Sequence, residues 1–310
     1  MRTCWVLDHP AHVRLLAPFL RCSNNNDVII ATNRKEVKDM IEQGDGHIPR
    51  RQIHWVERPV GKQKRRKALS RWRSSHKFLA ECCNTGQPIS RIIVIGAALE
   101  LMAWRSPILK RPIRSISHRY YISDTEVNHT AHNLALKSAT NIIIPNHWDE
   151  NLDGGFLQKA STKSIIVTQL DGLHGHIHLT PGVHATTVSS PPRVLVRLLK
   201  GDGIHDEGEL IQIPEPTYDG LDVTFANEDE YSGKAWELDR ELSWHDGVIT
   251  QSVTLASEAA LLGTPTLLIS KAKRGFLKRL QDDGYPLFVW DKLCEGCLLY
   301  TSDAADEWRS

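Results

Sequence analysis

The chain has 310 residues, 41% of them apolar, and carries 38 Lys and Arg against 37 Asp and Glu for a net charge of +1. That length suits about two domains of roughly 100–200 residues each, and the composition excludes wholesale disorder and fibrous architectures. The even charge balance argues against a chain coated with basic residues, so no nucleic-acid partner is expected. Six cysteines are too few for a disulfide scaffold, no apolar run approaches the ~18 residues of a membrane span, and Asp8 interrupts the N-terminal apolar stretch too early for a signal peptide. These features give the expectation of a reduced, cytoplasmic protein.

In chain order, Thr3–Leu7 reads as a buried strand, and His12–Cys22 carries Val13, Leu16, Ala17 and Leu20 at helical spacing. Asp27–Ala31 is a second strand, Arg34–Gln43 a helix closed by Gly44, and Gln52–Val56 a third strand. A long helix is expected over Lys62–Cys83, a strand over Arg91–Ile95, and a short helix over Ala97–Trp104. Strands at Ile113–Ile116 and Asn141–Ile144 flank a helix over Thr125–Lys137. This alternation, with near-continuous apolar strands, is the pattern of a doubly wound parallel sheet. The expected first domain is 1–150. Residues 151–191, rich in Gly, His, Asp and Pro with one strand at Ser164–Thr168, read as a passage between domains.

A second alternating unit is expected over 192–296, with strands at Arg193–Leu199, Leu210–Ile213, Leu221–Phe225, Gly247–Thr250, Thr266–Ile269 and Leu287–Trp290. Its helices read as Ser252–Leu262 and Lys271–Asp283. Residues 297–310 resemble a translated sequencing adapter, so the natural gene is expected to run off near Gly296, and the Cys294-x-x-Cys297 pair is set aside. No G-x-G-x-x-G follows the first strand and no P-loop motif occurs, which argues against dinucleotide binding and removes P-loop chemistry.

Asp8, His9 and His12 follow the first strand, where open parallel sheets place their ligands. His12 is the expected acid or base, since His9 precedes Pro10 and is restricted in its backbone. Asp124 suits a helix N-cap. His174, His176 and His178 would share one face of an extended segment, yet no supporting ligand follows, so no metal is expected there. Arg58 to Lys77 holds nine basic residues and no acid. Lys62, Lys64, Arg65, Arg66, Lys67, Arg71 and Arg73, with Trp72 in a stripe with Leu69, His76 and Leu79, read either as an anionic membrane or partner surface or as a solvated face packed by its stripe.

Five segments carry a resemblance: Leu7–Val13 (L-D-H-P-A-H-V), Ser123–Glu126 (S-D-T-E), Val194–Arg197 (V-L-V-R), Gly203–Asp206 (G-I-H-D) and Thr254–Pro265 (T-L-A-S-E-A-A-L-L-G-T-P). In this order they resemble a domain-of-unknown-function family of microbial proteins regarded as having the GT-B glycosyltransferase fold. That family is similar to the UDP-N-acetylglucosamine 2-epimerases and to the peptidoglycan N-acetylglucosaminyltransferase. The resemblance implies an α/β, GT-B-like architecture of two Rossmann-like domains whose parallel sheets face a cleft. It also implies a glycosyltransferase acting on a nucleotide-activated, UDP-linked sugar, with an unidentified, lipid-linked acceptor and a place at the inner face of the membrane.

The residues it implicates are Glu126 as an acid/base partner and Arg197, His205 and Asp206 as cleft residues. Ser252, Thr254, Ser257 and Glu258 would hold the nucleotide, Glu258 through its ribose. Gln251-Ser252 stands where the family tends to have Gly-Gly, a departure that bears on phosphate approach. No metal or other cofactor is expected, because a helix N-terminus and hydroxyl donors can stabilise a departing diphosphate. A nucleotide-sugar 2-epimerase of the same fold, or a non-catalytic surface-binding protein, are the alternatives.

Overall fold

A computed structural model describes residues 1–42, 46–84, 86–96, 98–109, 111–179, 188–199, 211, 218–226 and 235–291. The expected sites at His205 and Asp206, the Cys294-x-x-Cys297 pair and the segment 297–310 lie outside the described residues. The chain divides into two units, 1–178 and 179–310.

The first unit is a seven-stranded parallel sheet in the order β3-β2-β1-β4-β5-β6-β7. Its central strands, β1 (Arg2–Leu7), β2 (Val28–Thr32) and β4 (Ile89–Ile95), are apolar along most of their length because helices cover both faces. β3 (Gln52–Val56), β5 (His118–Ile122), β6 (Asn141–Pro145) and β7 (Ile166–Leu170) complete it. Around the sheet run α1 (Pro10–Arg21), α2 (Lys35–Glu42), α3 (Lys64–Cys83), α4 (Leu99–Met102), α5 (His129–Ala135), α6 (Phe156–Thr162) and α7 (Gly175–His178). Phe78, Leu79 and Cys82 of α3 pack with Val6, Ile30, Ile92 and Val94 in the core. Each such aliphatic side chain removed from water contributes about 1.5–3 kcal/mol.

Three expectations are corrected here. Ile113–Ile116 is not a strand; β5 lies at His118–Ile122 instead. Arg119 of β5 is satisfied by tertiary partners, donating to the Ser138 and Ile116 carbonyls and stacking 4.0 Å over the Trp104 ring. Residues 151–178, expected as a passage, instead build α6, β7 and α7 of the first unit, with β7 pairing β6 from Asn141↔Ile166 to Pro145↔Leu170. Asp124 does not cap a helix, since α5 begins at His129 with Asn128 accepting from the Ala131 amide.

The second unit holds β8 (Arg193–Arg197), β9 (Asp222–Phe225), β10 (Gly247–Thr250), β11 (Thr266–Ile269) and β12 (Leu287–Trp290). Their parallel order is β12-β11-β10-β8-β9. α8 (Leu238–Trp244), α9 (Val253–Leu261) and α10 (Gly275–Asp282) pack on it. α10 starts four residues later than the periodicity suggests. Of the expected strand at Leu210–Ile213 only Ile211 is described.

Counted from its own first strand, the second sheet runs 5-4-3-1-2, and the first runs 3-2-1-4-5-6-7. Both are doubly wound orders with one point where the connections change direction, between β1 and β4 and between β8 and β10. Ligands of such sheets bind outside the carboxyl ends of the strands at that point.

Candidate functional site

At the switch point of the first sheet, Asp8 follows the last residue of β1. Its carboxylate accepts from the Thr32 hydroxyl at the end of β2 and pairs with the Arg71 guanidinium at 2.7 Å. Arg71, 4% exposed, makes a second, two-pronged contact with Glu100 of α4, at 2.6 and 3.0 Å. Glu100 is fully buried and also accepts from the Ser75 hydroxyl. Burial alone would raise the Asp8 pKa, but Arg71, Thr32 and His12 together hold it below the usual carboxylate value. Burial opposes the charge on Arg71 too, and its two carboxylate partners reverse that, raising its pKa. Breaking such a pair strands a buried charge, which makes this ion system a rigid footing for Asp8.

Arg71 therefore leaves the surface set expected from sequence. Trp72 leaves it as well, because it is half-buried against the core and donates its indole N–H to the Met102 carbonyl at 3.0 Å. Lys62, Lys64, Arg65, Arg66, Lys67 and Arg73 are exposed. The buried stripe of α3 is Arg71, Ser75, Phe78, Leu79 and Cys82.

His9 caps α1, its Nδ1 accepting from the Ala11 amide at 3.2 Å. His12, on the first turn of α1, lies against Gly96, the residue after β4. A Cβ added at Gly96 would stand 3.2 Å from the His12 ring, and Gly96 has φ +62, so the turn needs glycine twice over. Burial lowers the His12 pKa, partly offset by Asp124 and Asp8. The His12 Nδ1 is buried without a hydrogen-bond partner among the described residues.

His174, just before α7, stands in a similar state. Burial lowers its pKa, Asp124 is the largest opposing influence, and its Nε2 is buried without a partner among the described residues. α7 packs on α1, so His174 and His12 share the neighbourhood of the Asp124 carboxylate. Two neutral imidazoles beside a carboxylate can accept, hold and return a proton near neutral pH.

Glu126 is placed differently from its expected role. It is 1% exposed, and its Oε1 accepts from the Asp149 amide at 3.1 Å, tying down the segment after β6. Asp124, two residues earlier, is the larger of the two carboxylate influences on His12, ahead of Asp8. The loop carrying Asp124 is braced by Ser123, whose hydroxyl donates to the Thr125 carbonyl at 3.1 Å and meets His132 Nε2 at 2.9 Å. With the Ser123 proton spent on Thr125, His132 is the donor to the Ser123 oxygen. Burial lowers its pKa to about 4, while its ring stacks 4.1 Å from Phe156.

His176 and His178 do not join a ligand set. They sit on α7, where a two-residue step turns them to different faces. His176 accepts from the Leu173 amide and His178 meets the His174 carbonyl. Among the described residues no group of three or more His, Cys, Asp or Glu is arranged to hold a metal.

At the switch point of the second sheet, Arg197 ends β8 opposite Thr250 of β10. The Thr250 hydroxyl donates to the Arg197 carbonyl at 3.1 Å and accepts from the Ser252 amide at 2.9 Å. Ser252 caps α9, accepting from the Leu255 amide at 3.4 Å. Of the four N–H groups that open the helix, the Ser252 and Leu255 amides are thus engaged. Among the described residues, those of Val253 and Thr254 have no protein acceptor.

Thr254 is exposed, and the Ser257 hydroxyl turns back onto the Thr254 carbonyl at 2.9 Å. Glu258 is 5% exposed, further along the helix. Gln251 is a strut. Its Oε1 accepts from the Leu199 amide at 2.9 Å and its Nε2 donates to the Ile211 carbonyl at 2.7 Å.

The residues that sequence reasoning missed are Arg71 and Glu100 as the footing of Asp8, Asp124 in place of Glu126, and Gln251. For Arg71 a signal exists: it falls in phase with Ser75, Phe78, Leu79 and Cys82, a phase it shares with the exposed Lys64 at the start of the helix.

No family model matches the chain, and no curated protein matches it. Solved structures do match. A putative UDP-N-acetylglucosamine 2-epimerase from Listeria monocytogenes aligns with TM-score 0.64 and 11% identity over 98% of this chain and 88% of its own. MnaA of S. aureus in a co-structure with UDP aligns with TM-score 0.61 and 10% identity over 99% and 87%. TcCGT1 in complex with UDP aligns with TM-score 0.53 and 8% identity over 94% and 86%. The chain thus has an α/β fold of the GT-B type, distantly similar to these proteins.

Proposed function

We propose that the chain is an enzyme acting on a nucleotide-activated sugar, a UDP sugar, and that it is a glycosyltransferase. The observation that carries this reading is the opening of α9, where two unclaimed amides and the Thr254 hydroxyl stand at the switch point of a doubly wound sheet. Such a helix start attracts a diphosphate through its N–H groups and its dipole. In this reading Ser252 and Ser257 shape the turn, Glu258 accepts from the ribose hydroxyls, and Arg197 lies on the neighbouring strand end. The UDP named with MnaA and with TcCGT1 supports the choice of nucleotide.

The first unit supplies the proton chemistry. His12, neutral because burial disfavours its charged form, takes the proton of an acceptor hydroxyl as the bond to the sugar forms. Asp124 and Asp8 then stabilise the imidazolium. The diphosphate leaves onto the α9 amides, which take up the charge that develops, so no metal or cofactor is assigned a role in this reading.

Thr254→Glu tests the nucleotide half without threatening the fold, because an exposed acid in a helix's first turn is mildly stabilising. Calorimetry should show UDP binding lost in T254E while the melting temperature holds. Binding as strong as in the unaltered chain would remove the nucleotide site from α9.

A second reading, a nucleotide-sugar 2-epimerase, is favoured by the names of the matching structures from Listeria monocytogenes and Methanocaldococcus jannaschii. Two neutral imidazoles around one carboxylate also suit removal and return of a proton with no second substrate. Incubating the chain with UDP-N-acetylglucosamine alone separates the two: an epimerase converts it to the C2 epimer by NMR, whereas a transferase leaves it largely intact until an acceptor is added.

A further inference from the structure

We propose that a pocket between α3 and the carboxyl end of β3 binds a small phosphorylated polyol, with Arg66, Lys67 and Ser70 holding its phosphate. The pocket encloses about 290 Å³, at the lower end of small-molecule sites and of a size for a single sugar unit. It opens at the same end of the first sheet as Asp8. Trp55 and Glu57, from the end of β3 and just beyond it, form one side, and one face of α3 forms the other.

The donors are distinct from those that hold the fold. Arg71 lines the inner wall, but Asp8 and Glu100 already answer its charge. Arg66 is exposed and has no acceptor among the described residues, and the Ser70 hydroxyl is likewise unclaimed. Lys67 spends one N–H on the Val60 carbonyl at 3.1 Å, which fixes the ammonium at the pocket and leaves two donors.

A guanidinium and an ammonium from neighbouring residues, with a hydroxyl one turn further along the same helix, make a phosphate site with charge-assisted bonds. Glu57 would repel a second anion and accept from hydroxyls, and the half-buried Trp55 ring offers an apolar wall for the C–H face of a polyol. These features select one phosphate on a hydroxylated body rather than a polyanion. They also give part of the basic run of α3 a use that an inserted membrane helix would not. Its aromatic and aliphatic side, Trp72, Phe78 and Leu79, is packed into the core, so no apolar face remains to enter a bilayer.

The test is calorimetry on the full chain with glucose 6-phosphate and with glucose. Saturable binding of the phosphate ester alone is expected. It should weaken at least tenfold in R66Q/K67Q, be lost in S70W, which fills the pocket without changing its charge, and be unchanged in R73Q/K77Q, which removes equal charge from the same helix elsewhere. A second arm uses phosphatidylglycerol vesicles, where the same phosphoester chemistry comes from a lipid headgroup. Vesicle binding that glucose 6-phosphate displaces, and that follows R66Q/K67Q but not R73Q/K77Q, supports the pocket with a lipid source.

Failure of both probes to bind overturns the proposal. So does an equal loss in R73Q/K77Q, or binding that survives S70W, since either would mean a diffuse charge effect. No residue of the second unit is involved, so UDP affinity in S70W should be unaltered, and the outcome is separable from that of T254E.

Discussion

Around the switch point of the first sheet the chain gathers ionisable side chains, with Asp8, His12, Asp124 and His174 standing beside the buried Arg71–Glu100 pair. At that of the second sheet it presents backbone amides and hydroxyls, with Thr250, Gln251 and Ser252 bonding neighbouring main chain. The difference is one of chemistry as well as of layout. Proton transfer needs groups whose charge can change, and these must be held by other charges. Receiving a diphosphate needs fixed partial charges, which a helix start provides without a titrating group. The first end should therefore be costly to alter and sensitive to acid, and the second should tolerate both better.

The largest effect is expected from Arg71→Ala, which leaves Asp8 and Glu100 buried with no counter-charge. Removing one partner of a buried pair costs about 3–5 kcal/mol, so the urea midpoint of the first unit should drop steeply. A loss under 1 kcal/mol would mean that water reaches the carboxylates and the footing is not rigid.

Acid comes next. His132 has a pKa of about 4 against an ordinary 6.5, burial being the main cause. The unfolded chain therefore binds its proton first as pH falls, and stability is lost between about pH 6.5 and 4. The span amounts to roughly 3 kcal/mol for this one group. Asp8 does not contribute to that window, since its pKa is lowered and its stabilisation is lost only below the ordinary carboxylate value. Hydrogen exchange at pH 7 and pH 4.5 should show the first unit loosening. His132→Phe, which keeps the stack on Phe156, should flatten the dependence. Equal loosening of both units would break the contrast.

Much of the architecture is legible in the chain, because β1, β2, β4, β6, β10 and β11 are apolar runs of strand length separated by helical periodicity. Edge and tertiary context hide the rest. β7 is largely exposed, and although Ser164–Thr168 reads as a strand, the Gly, His, Asp and Pro around it make the segment read as a passage between domains rather than as the edge of the first sheet. β5 carries His118, Arg119 and two tyrosines, whose partners come from distant segments, so no local pattern announces it.

The same reasons govern the site. His12, Asp8 and Ser252 are readable because strand ends and caps have local signatures. Asp124 and Glu126 are two residues apart, and only the fold shows which one turns to the imidazoles and which to the Asp149 amide. Gln251 looks like a defect in a glycine motif until its two main-chain bonds are seen.

That strut gives the next prediction. Gln251→Ala leaves the Leu199 amide and the Ile211 carbonyl without their partner, at a cost of about 2 kcal/mol. The loss should be the same at pH 7 and pH 5, because neither group titrates. Gln251→Gly tests whether closer backbone approach tightens UDP binding at the expense of stability. Weaker UDP binding in both variants would mean that the strut positions the helix start for its ligand.

The smallest effect sharpens the comparison most. Ser252→Ala removes the cap from α9 and should cost about 1 kcal/mol, while Ser252→Gly should cost only a few tenths. The Ser252 hydroxyl now occupies the Leu255 amide, so its removal adds a third open N–H to those of Val253 and Thr254. If the helix start receives the diphosphate, S252G should keep or gain UDP affinity although it is less stable, because the ligand takes over the bond the cap made. A side-chain site would lose affinity in step with the lost hydroxyl. Calorimetry and thermal melts on S252G alone thus decide whether the second end works through its main chain, as its geometry implies, or through the serine itself.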